Sequence, residues 1–353
     1  MQSQLFQPHA PKAPREKLNP LTIAGKSFEI TPVFHAYWRF AADRHIIFRR
    51  RLRELWPATS DPILTKYKFT NAYRASDRVS QYLLRSVIYR PDLPATTTEV
   101  CFRILLFKMF NKIETWELLE AAFGAVTHEE YRFETYDRVL TNAMQSGRRI
   151  YSAAYIMPPG DKTFGHSAKH QNHLLLLESM MRGDFPDRLV DSQTMGHGFE
   201  LLRHYPCIGD FLAYQFITDL NYSELTDFSE GEFVMPGPGA LDGIHKCFAD
   251  LGGLEEAEVI RRVADVQESE FERLGVQFET LWGRRLQLID CQNLFCEISK
   301  YARVAHPNIG GSAGRTRIKQ KYKSGGQPID YWYPPKWGLN DKLNSPPPVF
   351  TSC

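Results

Sequence analysis

The chain has 353 residues, of which 43% are hydrophobic and 24% are charged, and its formal net charge is +2. This composition is typical of a globular protein and excludes a disordered, collagen-like or low-complexity chain. No apolar run is long enough to cross a membrane and no apolar signal segment begins the chain, which predicts an intracellular protein, nuclear in a eukaryote and otherwise cytoplasmic. Six scattered cysteines without a Cys-x-x-Cys pair favour a reducing compartment.

The predicted elements are mostly helices. Residues 1–27 are polar and rich in proline, which predicts a flexible arm. Beyond them, apolar residues recur with a 3.6-residue period and predict helices over 33–54, 76–90, 99–123, 171–181, 241–251 and 269–304. Short extended pieces are predicted over 150–156 and 328–333. We therefore expect an all-α fold with one large helical domain, 28–325, and a C-terminal tail, 326–353, that packs on it.

Charge is unevenly distributed along the chain. Residues 39–90 contain 12 Lys/Arg against 4 Asp/Glu, and residues 301–353 contain 8 against 2. Residues 208–280 contain 4 Lys/Arg against 16 Asp/Glu. The small net charge is therefore compatible with a basic, polyanion-binding face, although solvated helix faces of different charge would give the same counts.

Residues 199–214 predict two helices joined by a tight turn, Pro206-Cys207-Ile208-Gly209. This order resembles a helix-hairpin-helix, in which the turn and the start of the second helix face a DNA phosphate. Cys207 stands where that hairpin usually has glycine. A plain helical corner explains the pattern equally well.

A group of polar residues follows Phe69. Its members are three or four residues apart along the chain, apart from the adjacent last two: Asn71, Arg74, Asp77 and Arg78. On a helix that begins early they share one face, and an amide, two guanidinium groups and a carboxylate suit phosphate and base contacts. The alternative is an Arg–Asp pair that only solubilises the helix.

Two further segments carry candidate polar groups. Gly237 and Gly239, just before a predicted helix, allow a phosphate to approach the backbone, although most Gly-Pro-Gly segments are structural turns. Asn293, Glu297 and Lys300 line one face of an apolar helix, where a buried Glu–Lys pair is either catalytic or structural.

A basic stretch near the C-terminus precedes an aromatic one. Arg315, Arg317 and Lys319 lie in the basic stretch, and residues 331–337 contain two tyrosines and two tryptophans. Interleaved cations and aromatic rings suit phosphate contacts and base stacking, whereas a tail that buries its aromatics on the core is the alternative.

Three histidines, His166, His170 and His173, have the i, i+4, i+7 spacing of metal ligands. No cysteine or carboxylate lies close to them in sequence, so we predict no metal. We also predict no cofactor.

Together these segments resemble one family. The residues that carry the resemblance are Phe69-Thr70-Asn71-x-Tyr73-Arg74-x-x-Asp77-Arg78, Phe110-Asn111-x-x-x-Thr115-Trp116, residues 205–220, Gly237-Pro238-Gly239 and Phe295-Cys296-Glu297-x-x-Lys300-Tyr301. They are similar to the α-glutamyl/putrescinyl thymine pyrophosphorylases, or amino acid:DNA transferases, which are related to the helical domain of 5-hydroxymethyl-deoxyuridine DNA kinases. The resemblance covers about residues 30–325.

The resemblance implies an all-α fold with some likeness to DNA glycosylases and a role in DNA hypermodification. A 5-pyrophosphorylmethyl-uracil in DNA would lose pyrophosphate, and an amine or amino acid would take its place. The implied partners are DNA with a modified pyrimidine and a small amine donor, without a membrane.

The roles that this chemistry requires can be assigned to the candidate residues. The proton acceptors would be Asp219, Asp77 and Glu297. The pyrophosphate would be held by Arg74, Arg78, Lys300, Gly237 and Gly239, and the base by Asn71 and Asn293. Gly209, Arg315, Arg317 and Lys319 would contact DNA. Two alternatives remain: a helix-hairpin-helix glycosylase and a non-catalytic DNA-binding module.

Overall fold

A computed structural model describes residues 20–23, 25–323 and 329–343, and the chain is mostly α-helical. Its strands are β1 (Leu21–Ile23), β2 (Lys26–Ile30) and β3 (Phe248–Asp250). Its α-helices are α1 (Pro32–Leu52), α2 (Pro62–Lys66), α3 (Arg78–Tyr82), α4 (Thr97–Phe110), α5 (Ile113–Phe123), α6 (Phe133–Gln145), α7 (Asp161–Phe164), α8 (Lys169–Arg182), α9 (Phe185–Val190), α10 (Met195–Arg203), α11 (Asp210–Leu220), α12 (Pro238–Cys247), α13 (Glu256–Asp265), α14 (Gln267–Arg273), α15 (Leu288–Ala305) and α16 (Asn340–Leu343). Short 3-10 turns cover Arg74–Ser76 and Pro335–Trp337, and a π-helix covers Leu83–Ile88.

The chain divides into two compact units. Unit 1 comprises Met1–Phe69, Pro238–Phe278 and Gln292–Lys323. Unit 2 comprises Thr70–Gly237, Glu279–Cys291 and Ser324–Cys353. Within the described ranges, no helix combines the length and the apolar character that a membrane span requires.

Unit 1 contains a small antiparallel sheet in the order β1-β2-β3. Leu21 pairs with Phe28, and Ile30 pairs with Phe248. Gly25, at φ +77°, turns the chain between β1 and β2 in a conformation that glycine adopts without strain. Residues 21–23 and 25–27 of the predicted arm therefore belong to a hairpin, and the side chain of Ile23 is buried in the core. Residues 1–19 and 24 lie outside the described part.

Helix α1 starts and ends with favourable local chemistry. The Thr31 side chain accepts a hydrogen bond from the Val33 N–H at 3.2 Å, and its hydroxyl donates to the Lys246 carbonyl oxygen at 2.5 Å. The first cap satisfies a free N–H at the helix start, and the second hydrogen bond holds that start against α12. Arg49, Arg50 and Arg51 occupy the last turn, where positive charge interacts favourably with the helix dipole.

The packing of α12 against α15 requires glycine. A Cβ at Gly243 would overlap the carbonyl oxygen of Phe295, and a Cβ at Gly239 would overlap the Cys296 side chain. Gly239, predicted to contact phosphate, therefore has a packing reason to be glycine.

Unit 2 is built around the almost entirely buried helix α4. Its N-cap, Thr96, accepts from the Glu99 N–H at 3.4 Å. Asn111 ends it in the left-handed conformation at φ 48°, so the predicted helix 99–123 is two helices, α4 and α5. Helices α10 and α11 pack against each other and are joined by the turn that contains Cys207. Their positions match the two helices predicted over 199–214.

Other predicted elements differ from the observed ones. The segment 269–304 is not one helix, because α14 and α15 are separated by a stretch in which Gly275, Trp282 and Gly283 have positive φ. Residues 76–90 are a short α-helix followed by a π-helix. Residues 150–156 and 329–333 contain no strand, and Pro328 lies outside the described residues.

Replacing Gly243 with alanine should destabilise the protein by about 2 kcal/mol, because the added methyl group overlaps the Phe295 carbonyl oxygen. By helix propensity alone, alanine would stabilise the helix by about 1 kcal/mol relative to glycine. A decrease in the free energy of unfolding therefore indicates the overlap, and an increase indicates helix propensity. Thermal unfolding followed by circular dichroism measures the change. Gly310→Ala is the matched control in the same unit, because a Cβ there meets nothing within 4 Å. A Tm for Gly243→Ala equal to or above that of the parent protein would contradict this packing.

Candidate functional site: a buried Arg-Asp-Lys cluster

Three charged side chains from three elements meet inside unit 2. Arg74 lies in the 3-10 turn, Lys108 in α4 and Asp219 in the last turn of α11. Arg74 Nη1 lies 2.6 Å from Asp219 Oδ1, and Lys108 Nζ lies 2.5 Å from Asp219 Oδ2. The three side chains are only 4%, 2% and 3% exposed, respectively. We call these residues the buried cluster.

Polar and aromatic neighbours complete the surroundings of the buried cluster. Arg74 donates from Nη1 to the Tyr222 hydroxyl at 3.0 Å and from Nε to Gln215 Oε1 at 3.2 Å. Lys108 Nζ lies 4.2 Å from the centre of the Tyr155 ring. Each cation therefore has a partner besides Asp219, as buried charges require.

The charges of the buried cluster do not cancel when all three groups are ionised. One carboxylate faces two cations, which leaves a net positive charge in a region shielded from water. Burial lowers the pKa of Lys108 to about 8, although the Asp219 charge opposes this shift. Burial acts to raise the pKa of Asp219, but the charges of Arg74 and Lys108 outweigh it and hold that pKa below its usual range. The cluster therefore suits a negatively charged ligand while Lys108 is protonated, and its amine loses that proton near pH 8.

A second buried carboxylate lies beside the backbone of the cluster. Asp290 Oδ1 accepts from the Arg74 N–H at 2.7 Å, and Oδ2 accepts from the Gln287 N–H at 3.0 Å. Burial nevertheless raises the pKa of Asp290 to about 6. Asp290 thus fixes the turn that positions the Arg74 side chain.

The other predicted residues near Arg74 form a local turn. Asp77 Oδ1 accepts from the Asn71 N–H at 2.7 Å, and Asn71 Nδ2 donates to the Ser76 carbonyl oxygen at 2.7 Å. Asp77 is the N-cap of α3, and Arg78 is its exposed first residue. The predicted single helical face is therefore wrong: these hydrogen bonds close a turn before the helix begins.

The turn between α10 and α11 has an unusual backbone. Cys207 lies in the left-handed region at φ 66°, where the resembled hairpin usually has glycine. Gly209 is the N-cap of α11 and has a normal negative φ, with open space around its Cα. Phe211 follows at the start of α11, and its ring stacks on that of Tyr155 at 5.7 Å between centroids. Tyr155 therefore contacts both the start of α11 and the Lys108 amine.

The remaining predicted site residues are distributed between the units. Glu297 Oε1 lies 2.6 Å from Lys300 Nζ in α15 of unit 1, so the predicted ion pair is confirmed, and Glu297 is buried. Gly237 is buried at the end of a segment of unit 2. Unit 1 also contains Asn293 and Gly239, which are half-buried. It contains three exposed cations as well, Arg315, Arg317 and Lys319. Their functional roles stay predictions.

Lys108, Asp290 and Tyr155 were not among the predicted site residues. Lys108 carried a usable signal, because it is the cation inside the apolar run Ile104-Leu105-Leu106-Phe107-Lys108-Met109-Phe110. A charge there must find a buried partner. Asp290 and Tyr155 carried no signal in the sequence, because their importance depends on tertiary neighbours.

The histidines hold local structure. His170 Nε2 lies 2.8 Å from Asp137 Oδ1, and His173 pairs with the Tyr151 hydroxyl at 2.8 Å. In the described ranges, no group of three or more His, Cys, Asp or Glu side chains is arranged to hold a metal ion.

Comparisons with known proteins agree with the helical architecture. The family model for the helical domain of 5-hmdU DNA kinase matches residues 31–311. The chain is 26% identical over 262 residues to the 5-hmdU DNA kinase of Bacillus phage SP10, in an alignment that covers 69% of this chain and 40% of that protein. The chain thus spans less than half the length of this relative. No solved structure matches it significantly. Since the family model covers most of the chain, the protein belongs to the family of the helical domain of 5-hmdU DNA kinases.

Proposed function

We propose that the protein is a transferase of DNA thymine hypermodification. It displaces pyrophosphate from a 5-pyrophosphorylmethyl-uracil in DNA and attaches an amine or an amino acid. Membership of a family named for a 5-hmdU DNA kinase supports a role on modified thymine in DNA. The observation that carries the transfer step is the buried cluster, in which the fixed cation of Arg74 lies in the same cluster as an amine, Lys108, that loses its proton near pH 8.

The proposed reaction breaks the bond between the 5-methylene carbon and a pyrophosphate oxygen. A bond forms between that carbon and the donor nitrogen, which then loses one proton. Pyrophosphate leaves with the electron pair of the broken bond, so fixed cations stabilise the transition state. Arg74, which stays protonated beside Asp219, suits this role.

Lys108 suits the role of proton acceptor better than Asp219 does. Both oxygens of Asp219 are in ion pairs, and the lowered pKa makes its carboxylate a weak base. The neutral amine of Lys108 has a pKa close to the operating pH, which is where general bases are efficient. Asp219 then orients the two cations. Asp77 and Glu297 remain predicted alternatives for the base.

Access to the buried cluster requires a movement. The modified base must leave the DNA stack to reach a buried site. Tyr155 lies over the Lys108 amine, and its backbone is in the left-handed region at φ 55°, which is unfavourable for tyrosine. We infer that the Tyr155 side chain moves aside when the base enters.

The function is tested on DNA that carries 5-pyrophosphorylmethyl-uracil, incubated with a panel of amines and amino acids. We expect mass spectrometry of the digested nucleosides to show one aminated product and release of pyrophosphate in equal amount. Unchanged nucleosides across the panel, with normal DNA binding, would contradict a transferase and favour a non-catalytic binding module.

Lys108→Gln should lower kcat by about 10²- to 10⁴-fold, because it removes the proton acceptor. The variant should still fold, since it leaves the Arg74–Asp219 pair electrically balanced. Asp187→Asn, an exposed position in the same unit, is a polar-for-charged control that should keep normal kcat. A kcat for Lys108→Gln within threefold of the parent value would rule out this role.

The pH dependence gives an independent test. Protonated Lys108 cannot accept a proton, so kcat/KM should rise about tenfold per pH unit below pH 8 and level off above it. This rise should be absent in the residual activity of Lys108→Gln. A parent profile that is flat between pH 6 and 9 would place the proton acceptor elsewhere.

A glycosylase-like enzyme is the second candidate. The observation that favours it is the α10–α11 pair, whose turn has a left-handed residue at Cys207. Release of a free base from modified duplex DNA, without any added amine, would favour this function over the transferase.

A further inference from the structure

The C-terminal arm of unit 1, residues 315–323, has a strictly alternating sequence: Arg-Thr-Arg-Ile-Lys-Gln-Lys-Tyr-Lys. Every second residue is a cation, and all five cations are exposed: Arg315, Arg317, Lys319, Lys321 and Lys323. Of the residues between them, Ile318 and Tyr322 are half-buried. Thr316 and Gln320 are exposed as well, so the cations are set apart by their regular spacing at every second position and not by burial.

The arm is held in place by hydrogen bonds within unit 1. Arg303 Nη1 donates to the Arg317 carbonyl oxygen at 3.1 Å. The Lys68 N–H donates to the Gln320 carbonyl oxygen at 3.1 Å, and the Tyr322 N–H donates to the Lys66 carbonyl oxygen at 3.0 Å. These two bonds flank an antiparallel bridge between Tyr67 and Lys321, which makes the arm extended there.

A cation–aromatic contact completes the attachment. The Arg51 guanidinium, from the last turn of α1, lies 5.0 Å from the centre of the Tyr322 ring. Tyr322 thus faces the unit while its neighbours Lys321 and Lys323 are exposed. The arm is therefore attached through its backbone and apolar side chains, and its charges are available to a partner.

We propose that residues 315–323 form a cationic ribbon that follows one phosphodiester strand of DNA. Alternate residues of an extended chain lie about 6.7 Å apart, which is close to the distance between consecutive phosphates along a strand. Like charges at this spacing repel one another, and a bound polyanion would offset the free energy of that repulsion. The fixed backbone lowers the entropy lost on binding.

This inference rests on the proposed function only in taking DNA as the partner. A nucleic acid strand is favoured over an acidic polypeptide, because each nucleotide carries one phosphate at a regular interval that matches the regular cation spacing. The contact is with the backbone, so the base sequence should matter little.

The test exchanges neighbouring residues without changing composition. The exchanged variant carries Arg315→Thr with Thr316→Arg and Lys319→Gln with Gln320→Lys, so two cations leave the two-residue register while the number of exposed cations stays the same. Binding of the full chain to an unmodified 20-base-pair duplex and to a single strand is measured by fluorescence anisotropy over a range of salt concentrations. For the duplex, the slope of log K against log salt should become shallower by about 1.8, or 0.9 per lost phosphate contact.

A matched pair of charge-removal variants accompanies the exchange. Lys319→Gln/Lys321→Gln should flatten the slope by the same amount as the exchange. Arg261→Gln/Arg262→Gln removes the same charge from α13, where both arginines pair with Glu258, and should leave the slope nearly unchanged. Circular dichroism confirms that each variant is folded.

The possible outcomes distinguish binding by the ribbon from binding through net charge alone, and they test the ribbon independently of the transferase function. Parent-like affinity and slope for the exchanged variant would overturn the ribbon, as would tighter binding of RNA or of polyglutamate than of DNA. Normal, exchange-sensitive DNA binding without any base transfer would sink the proposed function and leave the ribbon standing.

Discussion

The interior of unit 2 depends on Asp219 being shared between Arg74 and Lys108. Each of these groups would be costly to bury alone, and the carboxylate compensates both cations through short ion pairs. The arrangement ties α4 and α11 to the turn at Arg74, whose backbone is in turn held by Asp290. Two cations face this carboxylate while Lys108 is protonated, and the charges of the three groups balance less closely then than after its amine has lost the proton near pH 8.

One strained residue, Tyr155, lies beside this interaction, and another, Cys207, lies in the turn before α11. Both have positive φ, which residues other than glycine adopt only when surrounding contacts enforce it. Tyr155 contacts Phe211 and covers the Lys108 amine, so the start and the end of α11 both lie near functional candidates. Strain of this kind at a covering residue is consistent with a side chain that moves when a ligand enters.

The balance of charge along the chain acquires a structural explanation in unit 1. The acidic residues of α13 and α14 are partly compensated within their own helices, as in the Glu258–Arg262 and Glu270–Arg273 pairs. The cations of residues 315–323 instead project from an anchored backbone. A net charge of +2 therefore conceals an acidic segment, 208–280, and an exposed basic one, 315–323.

Helices with a strong apolar period were predictable, as α1 and α8 show, because burial of one face is a local property of the sequence. The same periodicity gave a wrong prediction for 269–304, which is two helices separated by a non-helical stretch. Phe278 has helical spacing from Phe271, yet it stacks on that ring at 4.3 Å from a non-helical stretch. An apolar side chain can be buried from a loop as well as from a helix, and periodicity does not distinguish the two.

By itself the sequence determined the helical architecture, the relation to the helical domain of 5-hmdU DNA kinases and the importance of Arg74 and Asp219 as candidates. The tertiary structure alone decided that these two side chains meet and that Lys108 joins them, from a helix more than a hundred residues before Asp219. Partners so distant in sequence are selected by how the helices pack, and no local pattern encodes that choice. The pKa of Lys108 depends on this packing too, because burial and the neighbouring carboxylate set it.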